Sequence, residues 1–134
     1  MDRTRRIQEG QFQIIYSGRE NDKHHGIALV LKPEAAAALI SYDTISPRML
    51  KARFRGQHAN ITVIQVYAPT ASSLDYEIEE FYTSLQTTLN KVPTHELLVV
   101  MGDFNTKVGQ DWHPGNQPSG SLGLVKRTRE ARCY

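Results

Sequence analysis

The sequence is poor in the features that mark secreted, membrane-embedded or disulfide-rich proteins. It has one cysteine, Cys133, so no disulfide can form within the chain, and such chains are typical of reducing compartments. No apolar run approaches the roughly 20 residues of a transmembrane helix. Met1 is not followed by the pattern of a signal peptide. We therefore expect an intracellular protein, nuclear or cytoplasmic, without a membrane partner.

A strong charge of one sign is also absent. The 134 residues carry 16 Lys and Arg against 14 Asp and Glu, a net charge of +2, which permits an acidic partner without requiring one. The basic residues concentrate near the two ends, in Arg3–Arg6 and Lys126–Arg132. Solvated termini and nucleic-acid contacts both explain this distribution. The length fits one domain, and we expect residues 1–9 and 113–134 to be disordered.

The clearest structural signal is the apolar run Leu97–Met101, which is followed by Gly102, Asp103, Phe104 and Asn105. Its uniform hydrophobicity predicts a strand that is buried on both faces. In an extended segment, residues two apart share a face, so Asp103 and Asn105 lie together while Phe104 turns towards the core. A carboxylate at the mouth of a buried strand is costly unless it binds a cation, a polar ligand or a donor.

Shorter patterns predict strands upstream of this run. Phe12–Tyr16 and Gly26–Leu31 are apolar and each ends at turn residues. Between Glu34 and Ile40, four alanines favour a helical turn or two.

A hairpin is predicted next in the chain. Cations alternate with apolar residues in Leu50–Arg55, and Ile61–Val66 follows after a turn. One face of this hairpin would be solvated and basic, with Lys51, Arg53 and Arg55 on it. Such a row could meet a phosphate backbone or protect a strand edge from pairing.

The one long helical pattern runs from about Leu74 to Lys91. Ser72 and Asp75 resemble a capping box, and the acidic first turns suit the positive end of the helix dipole. Five residues at helical spacing predict a buried stripe: Ile78, Phe81, Tyr82, Leu85 and Leu89.

The second hairpin strand, Ile61–Val66, together with this helix and the Leu97 strand, is a candidate for a right-handed crossover. In a parallel pair, the carboxyl ends of both strands open on one edge of the sheet, where α/β proteins place their sites. The sequence therefore predicts that Tyr67, Asp103 and Asn105 come together at that edge.

The segments Val66–Thr70 and Val100–Asn105, on either side of the predicted helix, resemble the endonuclease/exonuclease/phosphatase superfamily. Pancreatic DNase and the major abasic-site endonuclease belong to that superfamily. The likeness is closer to the endonuclease domain of non-LTR retrotransposons of the LINE and RTE type, and to craniofacial development protein 2-like sequences. Three further stretches recur there in the same order: Ile14–Gly18, His25–Leu31 and Ile45–Phe54. The resemblance covers residues 10–112 and implies an α/β (α+β) fold, a partial four-layer α/β sandwich of the DNase I-like type.

The resemblance also implies hydrolysis of DNA phosphodiesters with Mg²⁺ or Mn²⁺ as cofactor. In the family, an aspartate matching Asp103 orients or deprotonates the attacking water, and a tyrosine matching Tyr67 contacts the phosphate. An asparagine matching Asn105 binds the phosphate or metal-bound water. Asp103 and Asn105 offer the oxygen ligands that magnesium prefers. Lys107 and Trp112 are either DNA contacts or ordinary loop residues.

Two parts of the family's pattern have no counterpart in this sequence. The family's metal-binding glutamate would fall before Met1, and neither Glu9 nor Glu20 matches its motif. The family's late aspartate–histidine segment would fall beyond Tyr134. We therefore expect a fragment of an endonuclease domain; the alternative is a catalytically inactive retroelement remnant that at most binds nucleic acid weakly. A sheet without its full set of neighbours exposes an apolar face, which predicts self-association.

Overall fold

The computed structural model describes residues 5–18 and 26–104, which form three layers. A three-stranded sheet packs on a four-stranded sheet, and a long helix covers the other side of the second sheet. The predicted mixed α/β fold is therefore confirmed. The elements are β1 (Arg5–Glu9), β2 (Phe12–Gly18), β3 (Gly26–Leu31), α1 (Pro33–Ala38), β4 (Leu39–Ser46), β5 (Met49–Phe54), β6 (Ile61–Tyr67), α2 (Asp75–Asn90) and β7 (Leu97–Asp103).

The first sheet begins in a segment for which we predicted disorder. Within residues 1–9, strand β1 covers Arg5–Glu9 and pairs antiparallel with β2, so the prediction is wrong for that part. Gly10 adopts a φ of +57°, a conformation that suits glycine and that turns the chain back. The Arg6 guanidinium then donates to the Gln13 side-chain oxygen at 2.7 Å. A cross-strand partner and a tight turn thus order this basic stretch.

The first sheet has one buried and one exposed face. Along β3, Ile27, Leu29 and Leu31 are buried, whereas Val30 is 60% exposed. The predicted strand at Gly26–Leu31 is confirmed, but its nearly uniform apolar character does not mean burial on both faces. The second layer covers the inner face, and apolar side chains therefore stay exposed on the outer face.

The second sheet has the strand order β4-β5-β6-β7. The predicted hairpin is confirmed as the antiparallel pair β5·β6, and the predicted crossover places β7 parallel to β6. Strand β4, which the sequence patterns did not predict, pairs antiparallel with β5. Its register shifts between Leu39 and Ser41 and again between Thr44 and Ser46. These irregularities break the period-2 pattern by which a strand is recognised.

Two hydrophobic cores hold the layers together. The inner core lies between the sheets and contains Ile15, Ile27, Leu29, Leu31, Leu50, Ala52 and Phe54. The second core joins the second sheet to α2 and contains Met49, Ile64, Val66, Ala68, Phe81, Leu85, Val92, Leu98 and Val100. Strand β7 therefore packs against both cores, with Leu98 and Val100 in one and Met101 against the other, as its apolar run predicted.

Helix α2 confirms the long helical pattern with two corrections. Of the predicted buried stripe, Phe81 and Leu85 are buried, but Tyr82 is 37% exposed and meets Phe81 edge-on. The predicted cap by Ser72 is also wrong, because the helix begins at Asp75 and the Glu77 carboxylate accepts the Leu74 backbone N–H. Neither helix in the described residues is long and apolar enough to cross a membrane.

The predicted solvated basic face of the hairpin is wrong for Arg53. Its guanidinium forms two hydrogen bonds to the Glu96 carboxylate, which is fully buried. Thr62 donates to the same carboxylate at 2.6 Å. Hydrogen bonds from Arg53 and, to a smaller extent, Thr62 lower the pKa of Glu96, because their combined stabilisation of the charged form outweighs the effect of burial. Sequence patterns did not reveal this clamp of Arg53, Thr62 and Glu96, because its members lie far apart in the chain.

Candidate active site at the carboxyl ends of strands β6 and β7

Tyr67 and Asp103 are register partners at the ends of the parallel strands β6 and β7. The Ala68 backbone N–H donates to the Asp103 carbonyl at 2.8 Å, so the pairing holds through the last residue of β7. Paired residues in a sheet project to the same face, and Tyr67 packs on the inner core. Both side chains therefore point towards the side of the first sheet. The predicted parallel pairing, which brings these two residues together, is confirmed.

Gly102 fixes the geometry immediately before Asp103. Its φ is +137°, and a Cβ built on it would lie 1.9 Å from the Val66 carbonyl oxygen. Only glycine adopts this conformation without strain and permits this approach of the two backbones. The glycine thus lets β7 stay paired with β6 up to Asp103, whose carboxylate emerges at the exposed end of the strand.

Tyr67 is held from the opposite side by the residues that lead into β5. Its backbone N–H donates to the Arg48 carbonyl at 2.9 Å, which extends the β5·β6 ladder past the turn at Pro47. The next two residues, Ala68 and Pro69, are buried, so the chain beyond Tyr67 is anchored. The phenol therefore projects from backbone that is fixed on both sides.

Arg48 is a candidate site residue that the sequence patterns did not single out. One guanidinium nitrogen, Nη1, donates to the Tyr67 carbonyl at 3.2 Å. The guanidinium carbon lies 5.3 Å from the centre of the Tyr67 ring, a cation–π distance. The Arg48 backbone N–H donates to the Ser46 hydroxyl at 3.1 Å. The available signal was the hairpin register, which places the residue before Met49 opposite the residue after Val66.

We call Arg48, Tyr67 and Asp103 the polar rim. They lie in that order along one edge of the second sheet, because β5, β6 and β7 are consecutive neighbours in it. Neighbouring strands are about 4.8 Å apart, so the backbone positions that carry the cation and the carboxylate are about 10 Å apart, with the phenol between them. This arrangement can bind an anion at one end and a cation at the other.

A buried acceptor lies one row below the rim. Gln65 shares the face of Tyr67, and its side-chain oxygen is buried without a hydrogen-bond partner among the described residues. An unpaired buried acceptor costs about 1–3 kcal/mol. A water molecule or a ligand that donates a hydrogen bond here would recover that energy, so the polar character of the rim extends into the space between the sheets.

The remaining predicted site residues, Asn105, Lys107 and Trp112, lie outside the described residues, and so does the predicted tail 113–134. In residues 5–18 and 26–104, no group of three or more His, Cys, Asp or Glu side chains forms a metal cluster. Asp103 is the rim's carboxylate. Magnesium often binds through one or two carboxylates and keeps several waters, and Asp103, an exposed residue, suits that mode.

A separate groove lies between α2 and the β4·β5 pair, with a volume of about 620 Å³. Charges of both signs line it, among them Lys51, Glu79 and Lys91, and Tyr76 stands at its wall. It shares no residue with the polar rim. Because its charges are mixed and its mouth is open, the groove has no evident chemistry, and the rim is the better candidate site.

The fold and the rim together define a mixed α/β protein that presents a tyrosine and an aspartate at the carboxyl edge of a parallel strand pair. No family model matches the chain. It is 37% identical over 111 residues to craniofacial development protein 2 from Bos taurus, and 36% identical over 111 residues to the Tragulus javanicus protein of the same name. Each alignment covers 83% of this chain and 19% of the relative.

The chain is therefore related to craniofacial development protein 2 over most of its own length, and it spans about a fifth of the length of the curated relatives it matches. This agrees with the resemblance to craniofacial development protein 2-like sequences. Neither relative's name refers to a nuclease. Membership of the endonuclease/exonuclease/phosphatase superfamily thus stays a prediction.

Proposed function

We propose that the polar rim belongs to a metal-dependent site that hydrolyses phosphodiester bonds in DNA. The observation that carries the proposal is the register pairing of Tyr67 with Asp103 in the parallel β6·β7 pair. Open α/β sheets bind their ligands beyond the carboxyl ends of parallel strands. A phenol and a carboxylate at that position supply a hydrogen-bond donor and an acceptor to one substrate group.

Each residue has a role that suits phosphodiester hydrolysis. The Tyr67 hydroxyl donates a hydrogen bond to a non-bridging phosphate oxygen, where negative charge accumulates in the transition state. The Asp103 carboxylate accepts a hydrogen bond from the attacking water and orients it for in-line attack. In the same proposal, Asn105 contacts the phosphate or a metal-bound water. Bound Mg²⁺ or Mn²⁺, with Asp103 and Asn105 among its ligands, would neutralise charge on the phosphate.

The second candidate function is weak binding of nucleic acid without cleavage. One observation favours it: the described residues bring a single carboxylate to the rim and form no group of three or more metal-ligating side chains. One carboxylate gives a weakly bound metal ion. Cations that contact the phosphate backbone, whether bound ions or basic side chains, would then give affinity for nucleic acid without cleavage.

A plasmid-nicking assay with Mg²⁺ tests the proposal and separates the two functions. We expect nicking by the full chain, abolition by EDTA, and a loss of about 100-fold or more in Asp103→Ala, in line with the removal of one catalytic group. Tyr67→Phe keeps the ring and loses only the hydroxyl, so its loss should be smaller. Asp43→Ala is the matched control, because Asp43 is an exposed aspartate on β4 and is not part of the rim.

Equal nicking by the wild-type chain and Asp103→Ala would contradict the proposal and indicate a contaminating nuclease. Binding of DNA without any nicking, at every Mg²⁺ and Mn²⁺ concentration, would favour the second function. A loss in Asp43→Ala as large as that in Asp103→Ala would show that the rim is not the site.

A further inference from the structure

Arg48 brings a permanent positive charge to the Tyr67 phenol. Its guanidinium lies over the ring, 5.3 Å from the ring centre, and is partly exposed. The hydrogen bond from Nη1 to the Tyr67 carbonyl, 3.2 Å long, fixes the orientation of the fork. Arginine carries five N–H donors in a rigid plane, and this bond uses one of them. The remaining donors leave the guanidinium free to act as an anion-binding group.

The position of Arg48 relative to Asp103 limits how an anion can bind at the polar rim. Tyr67 lies on β6, between the lead-in to β5 that carries Arg48 and the end of β7 that carries Asp103. An anion that accepts a hydrogen bond from the Tyr67 hydroxyl therefore lies between the cation and the carboxylate. Asp103 repels any anion at this point unless a cation lies between them. A phosphodiester has two non-bridging oxygens, so one can face Arg48 while the other faces a cation held by Asp103.

We propose that Arg48 is a phosphate-binding residue of the polar rim, which contacts the same backbone phosphate as the Tyr67 hydroxyl. The inference rests on the proposed function only in requiring nucleic acid at this edge; it does not require cleavage. Because a guanidinium stays charged at every physiological pH, this contact supplies affinity that depends on salt concentration and not on base sequence.

The test measures binding of a short fluorescein-labelled DNA duplex to the full chain by anisotropy, once with EDTA and once with Ca²⁺, a cation that binds oxygen ligands and can replace the proposed Mg²⁺ or Mn²⁺ at Asp103. The length of the duplex is checked after each titration to show that it is not cleaved. Titrations run between about 50 and 200 mM salt, a range in which phosphate contacts dominate the change in affinity. Arg48→Gln removes the charge, and Arg48→Lys keeps the charge but loses the fork. Arg55→Gln is the control, because Arg55 is an exposed arginine just past the opposite end of β5.

We expect Arg48→Gln to weaken binding about tenfold, as the loss of one charge-assisted hydrogen bond implies. The slope of log affinity against log salt should fall by about 0.9, the value for one phosphate contact. Arg48→Lys should keep the wild-type slope, whereas a residue that acts only by supporting Tyr67 would lose affinity without any change of slope. Thermal unfolding by circular dichroism checks that both variants are folded.

Three outcomes would overturn the inference. A slope in Arg48→Gln equal to that of the wild-type chain would remove Arg48 from the phosphate site and leave the proposed nuclease function intact. An equal loss of DNA affinity in Arg55→Gln would show that the effect comes from the net charge of the chain and not from the position of Arg48. Absence of salt-dependent DNA binding by the wild-type chain, both in EDTA and with Ca²⁺, would contradict both the inference and the proposed function.

Discussion

Replacing Glu96 by glutamine should lower the free energy of unfolding more than replacing any exposed charged residue. The Glu96 carboxylate is fully buried and accepts hydrogen bonds from Arg53 and from Thr62. Glutamine has one acceptor oxygen. Its NH₂ group would replace the second carboxylate oxygen and would face an N–H or O–H donor of Arg53 or Thr62 instead of accepting from it. We therefore expect two of the three hydrogen bonds to be lost.

The magnitude follows from those contacts. A hydrogen bond to a charged group contributes about 1.5–3 kcal/mol, so two of them amount to about 3–6 kcal/mol. The Arg53 side chain is 32% exposed, and water replaces part of what it loses. The expected loss in the free energy of unfolding is therefore about 2–3 kcal/mol. Glu80→Gln, an exposed position on α2, should change stability by less than about 0.5 kcal/mol.

The assay is urea unfolding at several pH values. Because the pKa of Glu96 is lower in the folded chain than its ordinary value of 4.5, the folded state binds fewer protons than the unfolded state. The stabilisation is then complete above that ordinary pKa and is lost as pH falls through the lower folded value. The difference between wild type and Glu96→Gln should accordingly shrink in acid.

Two results would refute this reasoning. One is a Glu96→Gln variant as stable as the wild type near neutral pH, with an unchanged urea dependence. The other is a difference that stays constant to strongly acidic pH, where the wild-type carboxylate is protonated. The double variant Arg53→Met/Glu96→Leu adds a check, because replacing both partners by apolar groups costs much less than removing one.

Two further predictions concern a glycine and the exposed sheet face. Gly102→Ala should lower the free energy of unfolding by about 3 kcal/mol, since its Cβ would lie 1.9 Å from the Val66 carbonyl oxygen. Gly10→Ala is the control, because open space surrounds Gly10, and it should cost about 1 kcal/mol. Equal losses of stability in urea unfolding would contradict this prediction. The outer face of the first sheet exposes Val30 by 60%, so Val30→Lys should weaken self-association about tenfold or more in sedimentation equilibrium. The control Leu74→Lys, at a 59% exposed residue on another surface, should leave it unchanged.

Local patterns predicted those parts of the fold whose signal lies within one element. The alternation in Leu50–Phe54, the helical period of α2 and the apolar run of β7 each reflect the burial of that element. The order strand, helix, strand then led to the parallel β6·β7 pair and to the neighbouring positions of Tyr67 and Asp103.

The features that escaped prediction depend on contacts between distant segments. Arg53 and Glu96 are 43 residues apart, and neither residue stands out in its own segment. Arg48 became a candidate for the site only through the hairpin register that brings it beside Tyr67. Strand β4 was obscured by its two register shifts. Pairing across strands, rather than local propensity, decides each of these cases.

The position of Asp103 depends on two features of β7 that take no part in its chemistry. At the start of the strand, the clamp ties Glu96 to β5 and β6; at its end, Gly102 lets the backbone approach Val66 closely. A slip of β7 against β6 by one residue would turn Asp103 to the opposite face of the sheet. Variants at either end should therefore reduce nicking by the chain more than their unfolded fraction explains. Activity that follows the folded fraction alone, in both Glu96→Gln and Gly102→Ala, would show that the inner strands fix the register without them.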